Sequence, residues 1–462
     1  MHNKKIYFIG IGGISMSGLA ELALDLGFEV KGSDPLYNRD IKRLEEQGIE
    51  VKSEQVARNI EEFKPDLVVY SAAIPANNPE LKYARENNIK NVVRAEFLGW
   101  ITEQYKHVIN IAGTHGKSTT TGICALIMIE AGLDPTVHLG SEFEFFDNNT
   151  IRVGKNDYFI NEADEYKRSF LKFKSTTSVI LNIETDHLDY YKDLDDIYSA
   201  FLAFVANLDE DNYLVLNRDL DYYEKLTSLI EENIDKPAQI VTIGKFSPEK
   251  ATQADFYYKD LRYVHGLAEF DVYRKDEFYT HIKLNIPAEF NVTNSLAAIA
   301  AATLNGATPE ACTKALSEFR GVSGRFMHIG RFQEADVVAD YAHHPNEMKL
   351  TLEASQRLDY KNIIPVVEII NYSRARDFHV KYLEILKDCP YVIFYKIFSA
   401  REKDNFNESA ERFAKEFNEK YENKAFSANS VDELKAILSK ITQKDDLILC
   451  FGPDSKALDL VK

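Results

Sequence analysis

The sequence predicts an α/β protein built as three consecutive open-sheet domains, and three observations lead there. Short apolar strands alternate with helical stretches along nearly the whole chain, the pattern of doubly wound parallel sheets. Glycine-rich turns join a strand to a helix twice, at Gly10-Ile11-Gly12-Gly13 and at Gly113-Thr114-His115-Gly116-Lys117-Ser118. The alternation then restarts after a turn-rich boundary, Gly321-Val322-Ser323-Gly324-Arg325. The expected organisation is a Rossmann-like domain over 1–106, a central P-loop ATPase-like domain over 107–322, and a Rossmann-like domain over 323–462.

In the first domain, Lys5-Ile6-Tyr7-Phe8-Ile9 is an apolar strand leading into the turn Gly10 to Gly13. A helix with Leu19, Leu22, Ala23 and Leu26 inward follows, then a second strand ending at Gly32-Ser33-Asp34. This is a βαβ unit with a Gly-rich turn at a helix N-terminus and an acidic residue near the end of the second strand. The third glycine of the dinucleotide fingerprint is replaced by Ser15, so the turn suits a diphosphate-linked group without implying a nicotinamide cofactor. A turn that merely packs helix on strand is the other reading. A further strand, Asp66 to Tyr70, ends at the small-residue loop Ser71-Ala72-Ala73, at the edge where open parallel sheets bind ligands.

The central domain opens on the strand His107 to Ile111 and the second glycine-rich turn. Strand, turn, Gly-Lys-Ser and helix form the layout of a phosphate-binding loop, although the first glycine, Gly113, stands closer to Gly116-Lys117 than the usual signature has it. Backbone N–H groups of such a turn and the helix N-terminus surround an anion. Lys117 can reach terminal phosphates and the Ser118 hydroxyl can ligate Mg²⁺. The strand Asp157 to Ile160 then runs into Asn161-Glu162-Ala163-Asp164-Glu165, whose carboxylates are either hard ligands for Mg²⁺ or a solvated acidic loop. The strand Ser178 to Asn182 delivers Asp186 and His187 to the same edge. Residues 254–286 alternate like antiparallel strands, and Asn291 and Asn294 stand where caps of the Ala-rich helix Ser295 to Leu304 are expected.

In the third domain, Asp336 to Asp340 is a strand ending in Tyr341-Ala342-His343-His344-Pro345, and a helix follows from Asn346. Further strands are expected at Ile363 to Ile370, Tyr391 to Tyr395 and Asp446 to Phe451, the last closing on Gly452-Pro453-Asp454.

Composition narrows the function. Asp and Glu number 73 against 55 Lys and Arg, a net charge of −18. That excludes a protein that coats nucleic acid, whose footprint is basic. The four cysteines show no metal-ligand spacing and read as buried thiols of a reducing compartment. No signal-peptide pattern opens the chain, and no apolar run approaches the ~18 residues of a membrane span. A cytoplasmic protein without membrane or nucleic-acid partners is expected.

Across nearly its full length the chain resembles the Mur ligase family. The motifs that carry the likeness are Gly10 to Gly13 with Met16 and Gly18, Gly32-Ser33-Asp34, Gly113 to Thr120, Glu162 to Glu165, Asp186-His187, Asn291 with Asn294, Arg325-Phe326, and Asp340-Tyr341 with His343-His344-Pro345. The resemblance implies ATP-dependent amide-bond synthesis with Mg²⁺, through an acyl phosphate. It implies UDP-N-acetylmuramate and a small amino acid as substrates, L-alanine foremost. By the same likeness, Lys117, His187 and Arg325 are catalytic. ATP is held by Gly113, Thr114, His115, Gly116, Lys117, Ser118, Thr119, Asn291, Asn294, Arg325 and Asp340, and the metal by Ser118, Glu162 and His187. The UDP part falls to Gly10, Gly12, Gly13, Ser33, Asp34 and Ser71, and the amino-acid side to His343, His344 and Arg374. A monomer or homodimer is expected.

Sister branches carry a carbamoylated lysine after the metal-binding histidine. This chain has Ser199-Ala200-Phe201-Leu202 there, which resembles the alanine-adding branch. Departures fall elsewhere. The family's Pro-His-Arg-Tyr-Thr-Arg-Thr run stands here as Ile369-Ile370-Asn371-Tyr372-Ser373-Arg374-Ala375. Its paired arginine is reduced to Gly324-Arg325, its usual Asp is Lys167, and its Gly-Gly pair is Gly140-Ser141. These changes keep two other readings open: a paralogue joining another amino acid or a recycled peptide, and a nucleotide-binding regulator without turnover.

Overall fold

The computed structural model of the chain describes residues 4–71, 73–187, 190–250, 252–398, 407–421, 424–452 and 459–461. Ala72, Pro453 and Asp454 of the loops read above lie outside them. Among the described residues three sheets are present, and the α/β class expected from the alternation is what forms. The first is parallel, with five strands in the spatial order Glu50–Lys52, Glu29–Ser33, Lys5–Ile9, Leu67–Tyr70, Lys90–Val93. The third has six strands in the order Met327–Phe332, Ala335–Asp340, Leu447–Phe451, Ile363–Val367, Tyr391–Tyr395, Lys424–Ala428. All its pairings are parallel except the edge pair Met327–Phe332 with Ala335–Asp340.

The central sheet has ten strands, and its middle carries the second glycine-rich turn. The strands Tyr213–Asn217, Thr177–Ile180, His107–Ala112, Tyr158–Glu162 and Thr136–Phe143 lie side by side and parallel. Their C-terminal ends share one edge, so the residues that follow them converge. The stretch 254–286 forms three strands, Phe256–Val264, Leu267–Arg274 and Glu277–Lys283, as its alternation predicted.

Local chemistry sets the element ends. Asn38, Asn78, Asp193 and Ser430 cap helices by accepting first-turn N–H groups, and Pro79 follows Asn78 at the first helical position. The helix Lys117–Glu130 is buried from Ser118 to Met128, and its second half, Ile123 to Ile129, is apolar on every face, as a helix buried all round must be. Phe8, Leu19, Phe97, Phe159, Phe201 and Phe204 are fully buried in one continuous core cluster, each worth about 1.5–3 kcal/mol against exposure.

The chain forms two compact units, 1–259 with 271–282 and 293–316, and 260–270 with 283–292 and 317–462. The Ala-rich helix differs from expectation. It begins at Phe290, so Asn291 and Asn294 sit inside its first turns rather than capping them. The Asn291 side chain donates back to Pro287 O at 2.6 Å. Among the described residues no helix is long and apolar enough to cross a membrane.

Candidate active site

The strand His107–Ala112 ends at a turn that only glycine permits. Gly113 has φ +143° and Gly116 φ +86°, and a Cβ on Gly116 would lie 2.6 Å from Asn294 Oδ1. The turn opens directly into the helix starting at Lys117, whose N-cap Gly116 offers no side-chain cap, leaving first-turn N–H groups for an anion. Asn182 clamps the turn from the neighbouring strand end. Its Oδ1 accepts the His115 N–H at 2.8 Å, its Nδ2 donates to His115 O at 3.0 Å, and its carbonyl accepts the Thr114 N–H at 3.2 Å. The Thr114 hydroxyl accepts the Glu184 N–H at 2.9 Å.

Lys117 Nζ folds back over the turn, donating to Gly113 O at 2.6 Å, Thr114 O at 3.2 Å and Glu165 Oε2 at 2.8 Å. Burial works against this ammonium, but Glu165, Asp164 and Glu162 more than offset it and raise its pKa. Glu165 is also buried, and burial raises its pKa despite Lys117. The Ser118 hydroxyl donates to Glu162 Oε1 at 2.9 Å, while Glu162 Oε2 accepts the Gly140 N–H at 2.7 Å. A Cβ at residue 140 would meet that carboxylate at 2.9 Å, so the retained glycine of the Gly140-Ser141 pair is the one the geometry needs.

His187 has φ +53°, an unfavourable setting for a residue with a Cβ, held by Tyr190 and Tyr191 N–H groups on its carbonyl. Asp164, Glu165 and His187 bring ligand atoms within 4.8 Å of one another. Glu165 Oε1 is buried with no hydrogen-bond partner among the described residues and lies 3.7 Å from His187 Nε2. Two carboxylates and an imidazole around an orphaned buried oxygen fit a divalent cation. The expected metal residues thus fall into a Ser118–Glu162 pair and a His187 cluster, the latter containing Asp164 and Glu165.

In the first sheet, Gly10 (φ +80°) donates to Ser33 O at 2.8 Å and Gly12 donates to Asp34 Oδ2 at 3.0 Å. Asp34 therefore braces the turn. Ser33 is fully buried and its hydroxyl donates to Glu80 Oε2 at 2.5 Å. Ser71 lies beside Gly10, its Cβ 3.9 Å from where a Gly10 Cβ would stand. Gly13 is the N-cap of the helix Ile14–Asp25 and adds no side-chain cap.

In the second unit, Asp340 is buried, accepting the Ala342 N–H at 2.8 Å and the Thr351 hydroxyl at 3.2 Å. Burial pushes its carboxyl up to about 6, against the pull of nearby Arg325. Arg325 lies over the Tyr341 ring, 5.7 Å from its centroid. His343 Nδ1 donates to Tyr341 O at 3.0 Å, and burial, with Arg374 and Arg325 adding to it, lowers its pKa. His344 caps the helix Pro345–Ser355, its Nδ1 accepting the Asn346 N–H at 3.3 Å. Arg325, Asp340, His343 and Arg374 thus form one electrostatic neighbourhood. Ile370 is buried and bridges Phe398 in parallel fashion, and Asn371 takes φ +72°. An apolar anchor and a left-handed asparagine occupy the place of the family's His-Arg pair.

Three family descriptions match successive stretches: Mur ligase family, catalytic domain, over residues 5–106; Mur ligase middle domain, over 111–302; and Mur ligase, glutamate ligase domain, over 324–453. The chain belongs to the Mur ligase family. A UDP-N-acetylmuramate–L-alanine ligase from Clostridium novyi is 37% identical over 98% of this chain and 95% of that protein. One from Acetivibrio thermocellus is 38% identical over 97% and 93%. Among solved structures, UDP-N-acetylmuramate-alanine ligase from Thermotoga maritima shares the fold at TM-score 0.79 and 23% identity, covering 99% of this chain and 97% of that one. In this Mur ligase the glycine-rich turn with its shortened spacing is held by Asn182, and Asn294 packs close to Gly116. Asn182 was missed in sequence; its signal was a polar residue ending a buried strand at the ligand edge.

Proposed function

We propose that this Mur ligase joins L-alanine to the lactyl carboxylate of UDP-N-acetylmuramate, using ATP and releasing ADP and phosphate, in peptidoglycan precursor synthesis. The observation that carries the reading is the loop that binds Lys117, Ser118 and the carboxylates Glu162 and Glu165 into one edge of the central sheet. Full-length relatives named for the alanine-adding reaction support the choice of amino acid.

In this reading the turn Gly113 to Thr119 wraps the ATP phosphates, and Lys117 neutralises charge on the phosphoryl group as the substrate carboxylate attacks it. The acyl phosphate then takes the amine of alanine, and phosphate leaves from the tetrahedral intermediate. Bound Mg²⁺ would supply charge neutralisation on the phosphoryl oxygens, one ion held by Ser118 and Glu162 and a second by His187 with Asp164 and Glu165 beside it. Residues 1–106 hold the UDP part at Gly10, Gly12, Gly13 and Ser71, with Ser33 and Asp34 bracing that turn. Residues 107–322 hold ATP, with Asn291 and Asn294 on the base side. Residues 323–462 contribute Arg325 and Asp340 to ATP, and His343, His344 and Arg374 to the amino acid. The protein works in the cytoplasm as a monomer or homodimer.

The test is ADP release with each substrate omitted in turn, followed by an amino-acid panel. Release should need both UDP-N-acetylmuramate and an amino acid, with alanine preferred. Equal ATP turnover without the sugar nucleotide would overturn the reading. The buried Ile370 and left-handed Asn371 favour one second reading, a paralogue for a recycled peptide; preference for a peptide over alanine in the same panel would establish it.

A further inference from the structure

Behind the metal carboxylates runs a buried polar row that the chemistry above does not use. Asn110, Asn161 and His138 are register partners on three adjacent strands and are essentially inaccessible to solvent. His138 Nε2 lies 2.8 Å from Ser15 Oγ, in the first turn of the helix that follows the Gly10–Gly13 turn. Ser15 Oγ lies 3.0 Å from Arg94 Nη1.

The hydrogen bonds in this row run one way. A guanidinium only donates, so Ser15 accepts from Arg94. Asn161 presents its acceptor Oδ1 to the ring at 2.9 Å, so His138 Nδ1 carries the proton, and Nε2 of the neutral imidazole accepts the Ser15 hydroxyl. Asn161 donates to Asn110 Oδ1 at 3.0 Å, and Asn110 donates to the Lys174 carbonyl at 2.8 Å. Burial, with the positive charge of Arg94 adding to it, pushes His138 down to about 4, so the neutral tautomer this direction needs is the one present at neutral pH. The row ends on Arg94 and fixes one of its five N–H groups.

Arg94 makes no ion pair among the described residues, yet it is largely enclosed and feels the charges of Asp164 and Glu162. One side of it is the first turn of the sugar-nucleotide helix; the other is the carboxylate cluster beside the phosphate loop. A substrate carboxylate that travels from the first to the second approaches Glu162, Asp164 and Glu165; Lys117 is engaged by Glu165 and the glycine-rich turn, and Arg94 is a cation on the sugar-nucleotide side that can meet the incoming carboxylate. Gly10, Ile11, Gly12 and Gly13 spend their N–H groups inside the turn, and the diphosphate is served by the first-turn N–H groups of the helix Ile14–Asp25.

We propose that Arg94, oriented by the Ser15–His138–Asn161–Asn110 row, grips the reacting carboxylate of the acid substrate and is a specificity residue for it. The inference rests on the ligase reading above. The experiment compares calorimetric binding of UDP-N-acetylmuramate with UDP-N-acetylglucosamine, which shares the nucleotide and sugar but lacks the carboxylate. Arg94→Gln should weaken the muramate at least about tenfold and the glucosamine less than about threefold, with the ATP KM little changed. Arg94→Lys should recover part of the loss. Ser15→Ala, which frees Arg94 without removing its charge, should lower muramate affinity in the same sense by a smaller factor. Equal losses for both sugar nucleotides, or none in either Arg94→Gln or Ser15→Ala, would overturn the assignment. Wild-type protein that bound neither sugar nucleotide would overturn the ligase reading itself, a result distinct from any variant effect.

Discussion

Lys117 and Glu165 form a buried ion pair, Nζ to Oε2 at 2.8 Å, with side chains 14% and 3% exposed. A phosphate-loop lysine read from sequence stands at a surface turn, so its loss would be expected to abolish turnover and spare the fold. The pair changes that. Lys117→Ala leaves a buried carboxylate without its partner, which costs about 3–5 kcal/mol. The expected outcome is loss of activity together with a clearly lowered unfolding midpoint, and Lys117→Ala/Glu165→Gln should regain stability but not activity. Equal midpoints for wild type and Lys117→Ala would contradict this. Asp340 makes a second prediction. Burial raises its carboxyl from 3.8 to about 6. Between those values the folded protein keeps a proton that the unfolded chain has released. The stability from this group is therefore full below about pH 4 and lost as pH rises to about 6, a difference of about 3 kcal/mol. Asp340→Asn should remove that step, so its advantage over wild type in urea unfolding should grow from pH 4 to 6.5. Parallel pH profiles would rule it out.

At the level of elements, the glycine-rich turn Gly113 to Ser118 owes its shape to its neighbours as much as to its own residues. Its glycines were plain in the sequence, because positive φ at Gly113 and Gly116 leaves little else possible. Asn182 was not, because its value comes from pairing Thr177–Ile180 against His107–Ala112, which puts its amide beside His115. Removing that amide strands a backbone N–H and carbonyl, so Asn182→Ala should raise the ATP KM about tenfold or more while the protein stays folded. An unchanged KM would show the clamp to be idle. Asn291 and Asn294 illustrate the opposite error. Cap chemistry suggested a helix start after them, yet the helix begins at Phe290, because the apolar Ala-rich face continues and packing outweighs local preference. The run Ile369 to Ala375 was legible only as a departure. That Ile370 is buried and bridged through its backbone to Phe398, with Asn371 left-handed, depends on a strand neighbour further along the chain.

For the whole molecule, two compact units predict two unfolding transitions in calorimetry. The phosphate loop, Glu162, Glu165 and His187 all belong to the unit containing 1–259. Mg-ADP at 100 times its dissociation constant should stabilise the species that binds it by about 2.7 kcal/mol, and Lys117→Ala should abolish most of that shift. A wild-type midpoint indifferent to Mg-ADP would count against nucleotide binding at this loop. The net charge of −18 is no obstacle to that binding, since Lys117, backbone N–H groups and a cation would supply the local field.

The sequence by itself determined the α/β class, the order of glycine-rich turns and the family, because strand periodicity, glycine at positive φ and dispersed motifs are local properties of the chain. It also named Lys117, Ser118, Glu162 and His187, since each directly follows a buried strand or turn. Only the tertiary structure decided which carboxylate meets which cation. Glu165 rather than Glu162 pairs with Lys117, and Glu162 turns to Ser118 and Gly140. Arg94, Ser15 and His138 meet only because distant strands and a helix pack together, and long-range juxtaposition of that kind leaves no periodic trace in a single sequence.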